Sequence, residues 1–188
     1  SLPKSAIVPA SDYVIIGGTG DLSLRKIFPA LFLRYVAGQV TNNFRLFVVG
    51  RQEIGANEFR KKLEPHLAPS ILGLDGDVGL MDRFMNLVEF TCVDITQPMS
   101  MMGLAEILLP EESEGRPIVF YLSIASSLFS AACQRIHEAG LVMPQSRLVV
   151  EKPLGHDRAS SREINDELLA AFKEDQIYRI DHYLGKET

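Results

Sequence analysis

Short apolar runs alternate with longer stretches of helical periodicity along most of the chain. Tyr13 to Ile16, Phe44 to Val49, Val88 to Val93, Ile118 to Leu122 and Arg147 to Val150 are rich in β-branched or aromatic residues, and each reads as a strand. Helical periodicity marks Leu22 to Val36, Asn57 to His66, Gly79 to Asn86, Met99 to Leu108, Leu128 to Ala139 and Asp157 to Phe172. Strands with so little polar alternation are buried on both faces. The expected fold is therefore α/β: a doubly wound, mainly parallel sheet with helices on both faces. Pro29 lies inside the first helical pattern and should bend it. The stretch "EPHLAPSILGLDGDVG", from Glu64 to Gly79, reads as a loop-rich insertion between helices.

Composition narrows the classes. A chain of 188 residues, 46% hydrophobic and 23% charged, is long enough for one substantial core. Its formal net charge of -5 offers no basic excess to follow a nucleic-acid backbone, so no nucleic-acid partner is expected. No run approaches the roughly 18 apolar residues of a membrane span, and "SLPKSAIVPAS" lacks the apolar centre of a signal peptide. Cys92 and Cys133 sit far apart in apolar runs, which suits buried thiols better than a disulfide framework or a metal site. A cytoplasmic protein without a resident metal is the expectation.

The first candidate site follows the first strand. In "GGTGDLS", Gly18, Gly20 and Ser23 fit glycine-x-glycine-x-x-small: Gly18 for the tight turn, Gly20 for close approach of a pyrophosphate, Ser23 for packing of helix on strand. No Gly-Lys-Ser/Thr follows, so the turn is of the dinucleotide (Rossmann-like) type and not a mononucleotide P-loop. After the second strand, "VVGRQE" supplies Arg51 where an acidic residue would bind a ribose 2'-hydroxyl. A guanidinium suits a 2'-phosphate, which favours NADP, while Glu53 keeps NAD use open. Asp94, after the third strand, is a further cofactor-site candidate with loop capping as its alternative role.

Two more constellations lie near strand ends. "VVEKPLGHD" sets Lys152 just past the fifth strand, where it would project over a bound cofactor and reach a substrate oxygen; a solvated strand-end lysine is the alternative. "RIDHYLGKE" gathers Arg179, Asp181, His182, Tyr183, Lys186 and Glu187. On a helix, His182 and Lys186 would share a face beside Tyr183, a nest suited to a phosphorylated or polyhydroxylated substrate. Asp181 and His182, adjacent in sequence, would point apart, so any histidine oriented by Asp181 comes from elsewhere. His66, His137 and His156 have surface or packing contexts. A cluster of this kind at the chain's very end points to a piece of a longer enzyme.

With these motifs in order, the chain resembles the N-terminal coenzyme domain of the glucose-6-phosphate dehydrogenase family, through "GGTGDLSLRKIFPALF", Gly50-Arg51, "EKPLGHD" and "RIDHYLGKE". The resemblance implies that residues 1–188 are one dinucleotide-binding domain of an enzyme that oxidises D-glucose 6-phosphate at C1 with NADP, the entry step of the pentose phosphate pathway. It implies that Gly17, Gly18, Thr19, Gly20, Asp21, Leu22 and Arg51 bind NADP, and that Lys152 touches cofactor and sugar. Lys26, His182, Tyr183 and Lys186 match substrate-binding positions, and Asp181 matches the carboxylate that pairs with a catalytic histidine. That histidine, the rest of the sugar site and the homo-oligomer interface belong, in the family, to a downstream α+β domain. Leu24, where many members carry a basic residue, and Ser126, where a proline is usual, depart from the pattern. Two other readings stay open: a sugar dehydrogenase of the glucose-fructose oxidoreductase type, which shares the lysine-proline motif, and a non-catalytic NADP-binding module.

Overall fold

The computed structural model describes residues 11–40, 43–71, 79–109 and 115–181. The five apolar runs form β1 (Asp12–Ile16), β2 (Arg45–Gly50), β3 (Val88–Cys92), β4 (Ile118–Leu122) and β5 (Ser146–Glu151), each within a residue of its predicted limits. A sixth strand, β6 (Ile177–Ile180), lies in the stretch predicted only as a cluster of ionisable groups. The order is β3-β2-β1-β4-β5-β6, and every neighbouring pair is parallel. The chain builds outward from β1 to β3, returns to the centre, and builds the other way through β6. Strand order thus reverses between β1 and β4, which opens a crevice at their carboxyl ends. Ile16 stands opposite both Val49 and Leu122, so three strands end level along that crevice.

Alternate strand residues feed two cores. Val14, Ile16, Phe47, Val49, Phe120 and Leu122 face one side of the sheet and pack with α4 (Met102–Leu108), α5 (Phe129–Glu138) and α6 (Arg158–Ala171). Ile15, Leu46 and Val48 face the other and meet α1 (Phe28–Val36), α2 (Ala56–Ile71) and α3 (Gly79–Met85). Each fully buried Phe or Ile contributes about 1.5–3 kcal/mol of transfer free energy, so the two layers together hold the sheet. The doubly wound arrangement follows directly from the two-sided apolar strands.

Several local readings need correction. The first helical pattern is not simply bent at Pro29. A π-helical segment, Ser23–Ile27, precedes α1, with the Phe28 N–H donating to the Ser23 carbonyl. The wider register eases the clash a proline ring makes with the preceding α-helical turn. α2 continues to Ile71 through the stretch predicted as loop, because Phe59, Leu63 and Leu67 form one buried stripe that holds its turns against the core. α4 starts at Met102 and not Met99, whose positive φ of 61° is incompatible with a right-handed helix. Cys133 is buried, and burial pushes its thiol up to about 12, but Cys92 is exposed on the edge strand β3.

The amino ends of the strands carry a different arrangement. The buried Asp12 carboxylate accepts from Arg45 Nε and Nη2, both at 2.7 Å, and from Arg116 Nε at 2.8 Å. It joins β1, β2 and the approach to β4 at the end of the sheet opposite the crevice. Pairing supplies what burial of the charge demands, so this is a structural centre.

Candidate functional site

The glycine turn sits where β1 meets the crevice. Gly17 has φ of +85°, and a Cβ there would lie 2.2 Å from the Ser123 carbonyl oxygen. The tight turn therefore falls on Gly17 and not on Gly18 as predicted. A Cβ on Gly18 would instead lie 2.8 Å from Val48 Cγ1, so its missing side chain serves packing. Gly17 and Gly18 N–H both donate to Val49 O, at 2.8 and 3.3 Å, and Gly20 N–H donates to Gly17 O at 3.0 Å. Ser23 is buried, and its hydroxyl lies 3.1 Å from Gly17 O and 2.8 Å from Ser123 Oγ. That bond ties the turn after β1 to the end of β4, across the point where strand order reverses.

Gly20 is the open position. A Cβ there would meet only Gly17 O, at 3.1 Å, and would otherwise project into free space. The helix begins at Asp21, so its first-turn N–H groups and dipole favour an anion beside Gly20. The exposed Asp21 carboxylate pairs with Arg25 at 3.0 Å through Oδ1, one turn along the same helix. A cavity of about 530 Å³ opens here, lined by Gly17, Gly20, Arg51 and Ser123 among others. Thr19, Gly50, Glu53 and Cys92 help line an adjoining one of about 520 Å³. A cradle without side chains, free helix-end donors and an exposed guanidinium at the β2 end fit the phosphates of a dinucleotide.

Asp94 behaves mainly as a cap. Its Oδ1 accepts from Thr96 Oγ1 at 2.6 Å and from Thr96 N–H at 3.0 Å, and these bonds hold the carboxyl below the usual carboxylate range, with Arg51 adding a smaller pull. Arg51 is also linked through its main chain, whose carbonyl accepts from Cys92 Sγ at 3.3 Å. Leu24 is buried in the core, and Ser126 starts a short 3-10 turn (Ser126–Leu128) at the crevice wall. Lys26 lies half-buried within the π-helical segment.

Lys152 and Asp181, distant in sequence, are brought together. Glu151 stands opposite Ile180 in the sheet, and Lys152 N–H donates to Ile180 O at 2.7 Å. Both functional candidates thus leave the sheet at the carboxyl ends of adjacent strands. Lys152 is exposed beside a cis bond to Pro153, and it borders an open cavity of about 960 Å³ with Arg158, Arg162 and Arg179. Asp181 is exposed directly after β6, in no helix. His182, Tyr183 and Lys186 lie outside the described residues. Arg179 proves structural: its Nε donates to Asn165 Oδ1 at 2.7 Å and its Nη1 to Glu174 Oε1 at 2.7 Å, which clamps β6 to α6. His66 is half-buried on α2, while His137 and His156 are exposed.

Two polar links had no sequence signature. The Ser23–Ser123 bond joins residues 100 apart, and Tyr121 Oη donates to Glu151 Oε1 at 2.7 Å between β4 and β5. Only the strand order puts such pairs together.

The comparisons agree with this geometry. Residues 14–188 match the family described as glucose-6-phosphate dehydrogenase, NAD binding domain. A glucose-6-phosphate 1-dehydrogenase of Mycolicibacterium smegmatis is 43% identical over 96% of this chain, and one of Rhizobium meliloti is 37% identical over 98%. The chain spans 37% and 38% of their respective lengths. A solved glucose-6-phosphate dehydrogenase in complex with its substrate glucose-6-phosphate superposes with a TM-score of 0.85 at 30% identity, covering 95% of this chain and 37% of that one. The Mycobacterium avium glucose-6-phosphate 1-dehydrogenase structure gives 0.77 at 29%, with 95% and 37% covered. The motifs, the fold and the match over residues 14–188 agree: the chain belongs to the glucose-6-phosphate dehydrogenase family, through its NAD-binding domain.

Proposed function

We propose that this chain is the NADP-binding part of a cytoplasmic enzyme that oxidises D-glucose 6-phosphate at C1 to 6-phosphoglucono-1,5-lactone. The observation that supports it best is the convergence of the glycine turn, Arg51, Lys152 and Asp181 on the carboxyl ends of one parallel sheet. When bound, NADP supplies the hydride acceptor. Gly17 to Leu22 cradle the pyrophosphate, Arg51 binds the 2'-phosphate by charge and fork geometry, and Asp94 shapes the loop beside it. Lys152 bridges nicotinamide ribose and sugar. Lys26, His182, Tyr183 and Lys186 hold the sugar phosphate.

Asp181 orients a neutral histidine supplied by the rest of the full-length protein and stabilises the imidazolium that forms when that histidine takes the C1 hydroxyl proton. Homo-oligomer contacts are assigned to that part too. This chain alone binds cofactor and does not turn over. Two measurements test the reading: calorimetric titration of the chain with NADP and NAD, and sugar-phosphate-dependent NADPH formation by the full-length polypeptide. Equal affinities for the two cofactors would remove the NADP assignment, and a full-length protein silent on glucose 6-phosphate would remove the substrate.

A further inference from the structure

We infer that Ser123 donates its hydroxyl proton to the bound dinucleotide, at the pyrophosphate oxygens nearer the nicotinamide, with Ser23 as the positioning residue behind it. Two hydroxyl protons are shared here among three oxygens. Ser23 Oγ lies 2.8 Å from Ser123 Oγ and 3.1 Å from Gly17 O, and the single proton on Ser23 can serve only one of them at a time. The shorter separation, the usual one between two hydroxyls, is to Ser123. Gly17 O does not depend on Ser23, because the Gly20 N–H donates to it at 3.0 Å. Ser23 can therefore turn its proton to Ser123 without leaving that carbonyl bare, and this frees the Ser123 proton for another oxygen.

Such an oxygen would come from the crevice. Ser23 is buried, while Ser123 is half-buried and lines the same cavity as Gly17, Gly20 and Arg51. In the order of the strands across the sheet, Arg51 follows β2, the glycine turn follows β1, Ser123 follows β4 and Lys152 follows β5. Ser123 thus stands between the phosphate cradle and the lysine assigned above to the nicotinamide ribose. Phosphate oxygens only accept, so an anion at this place selects the arrangement in which Ser123 donates outward. Without a ligand Ser123 donates to Ser23 and Ser23 to Gly17 O, so the pair is satisfied in both states.

The inference rests on a dinucleotide filling this crevice, as proposed above, and the choice of ligands separates the two. Dissociation constants of NADP, NAD and adenosine 2',5'-bisphosphate, which ends at the adenosine-side phosphate, are measured by calorimetry on the full-length polypeptide and on its Ser123→Ala, Ser23→Ala and double variants. We expect Ser123→Ala to weaken NADP and NAD alike by about tenfold or more, the scale of a hydrogen bond to a charged group, and to leave the bisphosphate unchanged. Ser23→Ala gives a second route: it should weaken both dinucleotides about threefold, spare the bisphosphate, and add nothing once Ser123 is alanine. Equal losses on all three ligands in Ser123→Ala would reduce the pair to a brace of the glycine turn and overturn the contact. Unaltered NADP and NAD affinities in that variant would overturn it as well. A parent polypeptide that binds neither dinucleotide would instead overturn the reading of the crevice on which the inference rests.

Discussion

The two halves of the crevice are made of different material. Around β1, β2 and β4 the site is mostly main chain: a left-handed glycine and helix-end N–H groups set its shape, braced by one hydroxyl pair between the start of the helix and the end of β4. Past β5 and β6 it consists of side chains, Lys152 and Asp181, leaving the sheet beside open space. The first half, which the proposed function gives to the nucleotide, is dictated by steric necessity. The second half, which the proposed function gives to the sugar, is a set of strand-end anchors beside open space. Change in the first half should therefore act on folding and cofactor binding, and change in the second on turnover.

The largest effect expected from this contrast comes from Gly17. A methyl group there would lie 2.2 Å from the Ser123 carbonyl at a positive φ, while at Gly20 the nearest atom is 3.1 Å away. Gly17→Ala should lose about 3 kcal/mol or more of stability in urea unfolding, since both clash and backbone strain are imposed. Gly20→Ala should unfold almost as the parent does and still bind NADP poorly, because its methyl fills the phosphate cradle. Similar stability losses in both variants would break the distinction between a turn residue and a cradle residue.

On the other half, Asp181→Asn in the full-length protein should reduce kcat about 100-fold or more, the scale on which general-base assistance operates, with folding unchanged. Lys186→Ala should act mainly on KM for the sugar phosphate, because an ammonium holding the phosphate does so in ground and transition states alike. Steady-state kinetics on the pair check both. An Asp181→Asn enzyme with normal turnover would move the carboxylate out of the reaction.

What could be read from the sequence follows the same division. The glycine turn, the five apolar strands β1 to β5 and Arg51 have local signatures, because tight turns and burial of apolar runs restrict residue type wherever they occur. β6 escaped because it is a four-residue edge strand whose Tyr178 and Arg179 do not resemble a buried run. Cys92 was expected inside for the converse reason: its run is apolar, but β3 is an edge and leaves the thiol exposed. The meeting of Lys152 with the Ile180 carbonyl beside Asp181 needed the strand order, which no local pattern carries.

Arg51 offers a finer test within the nucleotide half, since it is a side chain in a region otherwise built from main chain. Arg51→Ala should weaken NADP about ten- to a hundredfold, as expected for a charge-assisted phosphate contact, and leave NAD nearly unchanged. Calorimetric titration with the two cofactors reads this directly. Equal losses would mean that the guanidinium shapes the loop and does not read the 2'-phosphate.

The smallest expected effect concerns Asp94, which the geometry places with the loop-shaping groups. Its hydrogen bonds from Thr96 lower its pKa below the ordinary 3.8, so ionised Asp94 favours the folded loop. That contribution is fully present above the ordinary value and is lost as pH falls through the lower folded one. Thr96→Val removes the hydroxyl donor but keeps the main-chain N–H, so the Asp94 pKa should rise part of the way back, as followed by carboxyl resonances in an NMR titration. Because the group is exposed, global stability at neutral pH should scarcely change, and NADP affinity should fall only slightly through a looser loop. A loss in NADP affinity as large as that of Arg51→Ala would instead make this turn part of the 2'-phosphate contact, and the line between main-chain shaping and side-chain recognition would have to be redrawn around it.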